Sequence, residues 1–146
     1  METVADILAG KGRDVWTVSP AATIDDAARV MSEKNIGAVL VVSDENQPIG
    51  ILSERDVMRG MLRLDGNISK RPVRDLMTER VKSVDETLTI EDAMAVMTHN
   101  RFRHLPVRNE SGEIVGLISI GDVVKAAIHE REFVIDQLEH YIAGSL

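Results

Sequence analysis

The 146-residue chain contains no cysteine, which removes disulfide frameworks, thiolate metal sites and cysteine nucleophiles together. Aromatic side chains are nearly as scarce: two Phe, one Trp and one Tyr offer little for stacking nucleic-acid bases. Long apolar runs are missing as well, since stretches such as Ala38–Val42 fall far short of a membrane span. The N-terminus METVADILAG has no basic residues ahead of an apolar stretch, so it does not read as a secretion signal and a cytoplasmic location is expected. Basic residues are outnumbered 17 to 24, and the net charge of −7 disfavours non-specific nucleic-acid binding. The four histidines (His99, His104, His129 and His140) show no metal-ligand spacing, so no metal site is expected. No Walker loop, zinc motif or Ser/His/Asp ordering is present, and catalysis is not expected. What remains is ordinary globular composition, 44% hydrophobic and 28% charged.

The most informative feature present is an internal repeat. Residues 15–62 laid over 81–128, at a constant shift of 66 without a gap, give thirteen identities in 48 positions, where chance gives about three. Matches include Val18/Val84, Thr23/Thr89, Ile24/Ile90, Asp26/Asp92, Gly50/Gly116, Ser53/Ser119 and Asp56/Asp122. Each copy predicts a short extended piece, then an amphipathic helix with Ile24, Ala27, Ala28 and Met31, or Ile90, Ala93, Met94 and Met97, on one face. Two β-rich segments follow around polar turns, SDENQ and NESGE, as hairpins. A second helix begins after Ser53 or Ser119. The order β-α-β-β-α, twice, predicts an α+β fold in which two small copies pack as a pseudo-twofold pair.

The expected organisation is a lead-in segment over 1–14, a first repeat over 15–63, a linker and lead-in helix over 64–80, a second repeat over 81–128 and a helical extension over 129–146. Val4–Leu8 and Val73–Met77 are alike and predict short helices before each copy. The last helix, continuing after Ala127 into the extension, places Ile128, Phe133, Ile135, Leu138 and Ile142 partly on one face, which suits capping of the core or self-association.

Ser/Thr-x-x-Asp is a capping-box signature, in which side chains satisfy orphan N–H groups of the first helical turn. It recurs at Thr23/Asp26, Ser53/Asp56, Thr89/Asp92 and Ser119/Asp122, so alone it marks helix starts. The second-helix pairs differ because each follows Gly and two apolar residues, GILSERD and GLISIGD. A glycine there clears room where a strand turns into a helix start, and that start attracts phosphate. A carboxylate one turn in suits the two hydroxyls of a ribose, as in dinucleotide sites. Phosphate near the serine and ribose on the aspartate would together select a nucleotide.

A tandem β-α-β-β-α repeat with G-h-h-S-x-x-D closing the hairpin of each copy resembles the CBS (cystathionine-β-synthase) domain pair, or Bateman module, over about Val4 to Ile128. VMTHNRFRHLPV and GLISIGDVVKA are especially similar to stand-alone bacterial members. The resemblance implies regulatory binding of an adenine nucleotide in the cleft between repeats: AMP, ADP, ATP, NAD(H) or S-adenosylmethionine. It implies signal transduction through energy or redox sensing and a homodimer; composition adds the expectation of no membrane or nucleic-acid partner, and the protein target stays open. The first implied site takes Ser53, Arg55 and Asp56 with Val81, Lys82, Arg103, His104 and Leu105, and is expected to carry the positive charge. The second takes Ser119 and Asp122 with Trp16, Thr17, Ile36, Gly37 and Ala38, which offer apolar cover and little positive charge. Arg59 and Lys125, one turn after each aspartate, could reach a phosphate tail or simply stay solvated. The inosine-monophosphate dehydrogenase label sometimes attached to such pairs does not suit this chain, whose sequence lacks the barrel domain and the catalytic cysteine. A structural or dimerisation adaptor with vestigial nucleotide sites is the alternative.

Overall fold

The computed structural model describes residues 2–144; Met1, Ser145 and Leu146 of the expected terminal segments lie outside them. The chain divides into two compact units, one formed by Asp14–Lys82 and the other by the residues up to Arg13 together with those from Ser83 onward. Each holds a three-stranded sheet flanked by helices, so the chain is α+β with two β-α-β-β-α repeats.

In the first repeat, β1 (Thr17–Val18) leads into α2 (Ile24–Lys34), then β2 (Ala38–Val42), β3 (Pro48–Ser53) and α3 (Glu54–Arg63). β1 runs parallel to β2, and β2 pairs antiparallel with β3 in a register that sets Ala38 opposite Ser53. Thr23 caps α2, its hydroxyl accepting from the Asp26 N–H at 3.1 Å, while Asn35 ends the helix in the left-handed conformation at φ 54°. Ile24, Ala27 and Met31 then fall on one face at helical spacing and pack on Val39, Val41 and Leu52 of the sheet.

The second repeat follows the same plan: β4 (Val84–Asp85), α4 (Ile90–Asn100), β5 (His104–Arg108), β6 (Ile114–Ser119) and α5 (Ile120–Gly144). Ile90, Ala93 and Met97 pack on Leu105, Val107 and Ile118, with Val123 of α5 closing the core. α5 continues unbroken through the expected C-terminal extension for 25 residues. No helix among the described residues is long and apolar enough to cross a membrane.

The two segments expected as lead-in helices fold differently, and each joins the unit of the other copy. The N-terminal one is a helix, α1 (Val4–Lys11), tied to the second repeat by Val4 N–H donating to Leu88 O at 2.8 Å. Val4 and Leu8 enter that repeat's core. The segment expected as a helix over Val73–Met77 is a single 3₁₀ turn, Val73–Asp75, on the first repeat. There Val73 N–H donates to Ala22 O at 2.7 Å, and Ile68, Val73 and Leu76 complete the core. Thr78 then exchanges two backbone bonds with Ile51, at 2.9 and 3.0 Å, which draws the chain into an extended bridge and stops helix growth.

Candidate functional site

Each repeat turns from its last strand into its second helix through a serine and an aspartate. At the start of α3, Asp56 Oδ2 accepts from the Ser53 N–H at 2.9 Å and the Ser53 hydroxyl at 3.0 Å. The same hydroxyl accepts from the Asp56 N–H at 3.2 Å. The capping box is therefore complete, and Asp56 is left with Oδ1, which takes the Thr78 hydroxyl at 3.2 Å.

At the start of α5, Asp122 Oδ2 accepts from the Ser119 N–H at 2.8 Å, and the Asp122 N–H donates back to the Ser119 hydroxyl at 3.1 Å. Its further partner is an ammonium. Lys11 Nζ, at the end of α1, lies 2.6 Å from Asp122 Oδ2 and donates to Leu117 O at 3.0 Å. Burial raises the Asp122 carboxyl pKa, but the Lys11 ammonium and the Ser119 donors outweigh it and hold the group below its ordinary value.

The strand residues named with these motifs sit at the same sheet end within each unit. In the first repeat the Glu54 N–H donates to Gly37 O at 3.0 Å, which sets Ile36, Gly37 and Ala38 beside the Ser53 turn. Trp16 and Thr17 lie on the parallel edge, where the Leu40 N–H donates to Trp16 O at 3.1 Å. The Trp16 ring carries the Lys34 ammonium 4.4 Å from its centroid, a cation–π contact absent from the sequence reading. In the second repeat the Ile120 N–H donates to Arg103 O at 2.8 Å and His104 pairs with Ser119 across the sheet. Ser53, Asp56, Trp16, Thr17, Ile36, Gly37, Ala38, Val81 and Lys82 thus belong to one unit, and Ser119, Asp122, Arg103, His104 and Leu105 to the other. Arg55, Arg59, Lys82, Arg103 and Lys125 are exposed.

Several expectations need correction. Leu105 is fully buried in its core and Ala38 is 4% exposed, so neither side chain is open to a ligand and only their backbone edges can serve. The space left by the motif glycines is taken up by side chains of the lead-in segments. A Cβ on Gly50 would lie 2.5 Å from Met77 Sδ, and one on Gly116 would lie 2.5 Å from Leu8, so both glycines seat the lead-in segments. The count of four Ser/Thr-x-x-Asp helix starts missed a fifth: Asp6 Oδ2 accepts from the Thr3 N–H at 2.8 Å at the start of α1. Positive charge at Asp122 also escaped, because Lys11 stands 111 residues away in the chain and no local pattern links the two. Thr78 was missed for the same reason, although its place beside the repeated Val73–Met77 segment was a usable signal.

The model of the CBS domain family matches this chain over residues 4–63 and 73–129. Among curated proteins, the chain is 37% identical over 152 aligned residues to the mitochondrial CBS domain-containing protein CBSX3 of Arabidopsis thaliana, covering 97% of this chain and 72% of that one. Among solved structures, the CBS-domain containing protein ATU1752 from Agrobacterium tumefaciens matches with a TM-score of 0.78 at 40% identity, covering 86% of this chain and 92% of that one. CBSX2, solved in complex with AMP, matches with a TM-score of 0.67 at 27% identity, covering 90% of this chain and 99% of that one. With the family's domain matched twice, once over each repeat, the chain belongs to the CBS domain family as a tandem pair.

Proposed function

We propose that this chain is a regulatory protein that binds an adenine nucleotide at the serine–aspartate turns of its repeats and has no catalytic chemistry of its own. The observation that carries this reading is the paired serine–aspartate turn, built twice with the same hydrogen bonds at a strand-to-helix junction. A helix start offers N–H groups and positive potential to a phosphate, and a carboxylate held one turn in accepts from a ribose diol. The complex of the related CBSX2 with AMP supports an adenosine-type ligand.

In this reading the nucleotide contacts of one unit come from Ser53, Arg55, Asp56, Val81 and Lys82, with Trp16, Thr17, Ile36, Gly37 and the Ala38 backbone. Those of the other come from Ser119 and Asp122, with Arg103, His104 and the Leu105 backbone. The ligand acts by its differential affinity for two arrangements of the protein, which is all that binding can contribute to a switch. Exposed Met58, Met61 and Leu62 on α3, and exposed Ile120, Val124, Ile128, Ile135 and Leu138 on α5, support self-association as a homodimer.

The test is a melting-temperature panel with AMP, ADP, ATP, NAD, NADH and S-adenosylmethionine, confirmed by calorimetry. A ligand that binds only the folded state raises the melting temperature. At least one adenine ligand stabilises the wild type, and Asp56→Asn or Asp122→Asn removes its effect while keeping the apo protein folded, since asparagine still caps a helix. No response to any of them sinks the sensor reading and leaves the adaptor.

A further inference from the structure

The two aspartates differ in what neutralises them, and that difference has chemical consequences. Among the described residues Asp56 meets neutral donors: the Ser53 N–H and hydroxyl, and the Thr78 hydroxyl. Asp122 meets the Ser119 N–H and the Lys11 ammonium. Lys11 is not a loosely placed surface cation. Leu8, one turn earlier, is buried against Gly116, and Gly12 ends α1 at φ 105°, a conformation that side chains rarely adopt. Two of the ammonium's three N–H donors go to Asp122 Oδ2 and Leu117 O, which leaves one for a ligand.

We infer that Lys11 sets the charge selectivity of the Asp122 site, so that this site favours phosphorylated adenine ligands over the uncharged nucleoside. The inference rests on the adenine-nucleotide reading of that site. With Lys11 in place the carboxylate still presents Oδ1 to a ribose diol, but its negative charge is cancelled locally and no longer repels a phosphate. Among the described residues no such cation hydrogen-bonds to Asp56 within its own unit. Lys11 is thus a specificity-determining residue whose contribution depends on ligand charge.

The experiment uses the full chain carrying Asp56→Asn, so that only the Asp122 site reads out, with AMP and adenosine titrated by calorimetry. Lys11→Met weakens AMP by about tenfold and adenosine by less than about threefold, the asymmetry expected when a charge-assisted hydrogen bond to the phosphate is lost. Lys11→Arg restores most of the AMP affinity. Equal losses for both ligands mean that Lys11 only ties α1 down, and tighter AMP binding means that it obstructs the site; either overturns the inference. If the folded Asp56→Asn protein binds neither ligand, the nucleotide reading at Asp122 fails, and the inference falls with it for a distinguishable reason.

Discussion

Asp56 and Asp122 occupy the same place in their repeats, yet one faces a threonine hydroxyl and the other a lysine ammonium. The source of the difference is the segment that closes each repeat. The second repeat is closed by α1, a helix that reaches as far as Lys11, whereas the first is closed by a linker that makes one 3₁₀ turn and then an extended bridge at Thr78. The same contrast reaches the outer helices. In the first repeat the groove between α2 and α3 is lined by Ile24, Ala28, Val57 and Met61 together with Ile68 of the linker, while in the second the corresponding groove between α4 and α5 is lined by Ile90, Met94 and Ala127 with Val134 and Ile135 of α5 itself. A duplicated frame has been given two different closures, and the chemistry beside each aspartate follows from the closure.

The largest effect that separates the repeats is expected from the side chains seated on the motif glycines. Leu8 is 1% exposed on Gly116, so Leu8→Ala removes a full core side chain and costs about 3 kcal/mol in urea unfolding. Met77 on Gly50 is only half-buried, and Met77→Ala costs about 1 kcal/mol. Equal losses would show that the two closures are energetically equivalent.

Next come Gly60 and its counterpart Ala126. A Cβ on Gly60 would collide with Leu76, so Gly60→Ala costs about 1–3 kcal/mol although it improves helix propensity. Ala126 packs its methyl partly against the second core, and Ala126→Gly costs the propensity difference plus that burial, about 1–2 kcal/mol. Stabilisation by Gly60→Ala would show that the linker does not pack as closely as described.

An acid titration probes the aspartates themselves. The Asp122 carboxyl is held below its ordinary value in the folded state, so its contribution is complete above about pH 5 and is lost as pH falls through the lowered value. Lys11→Met raises that value toward the unfolded one and flattens this part of the acid limb. Thr78→Val leaves the Asp122 titration in place, and the two variants are compared by NMR of the carboxylates. The smallest effect lies at the helix ends. Arg101 stops α4 at φ 58° where Asn35 stops α2 at φ 54°, and asparagine tolerates that conformation better. Arg101→Gly therefore stabilises by about 0.5–1 kcal/mol, while Asn35→Gly changes little; thermal melts of the pair measure the gap.

Much of this organisation is written in local pattern. The shift of 66 residues, the apolar positions Ile24, Ala27 and Met31 with their counterparts, and the polar hairpin turns specify two β-α-β-β-α units, because each signal acts over one or two turns or a single pairing. Ser53-x-x-Asp56 and Ser119-x-x-Asp122 are legible for the same reason, their bonds closing within three residues. Partners across long stretches of chain follow a different logic. Val4–Leu8 and Val73–Met77 look alike in sequence, but one continues as a helix to Gly12 and the other is pulled straight by the Ile51–Thr78 bridge. Helix and bridge differ by a few backbone hydrogen bonds whose balance depends on the sheet edge they meet, and that edge is made by residues elsewhere in the chain. Lys11 beside Asp122, Thr78 beside Asp56, Leu8 over Gly116 and Met77 over Gly50 all exist only once the core has closed. Composition, periodicity and capping thus settle that there are two serine–aspartate helix starts, while packing settles that the two are not alike.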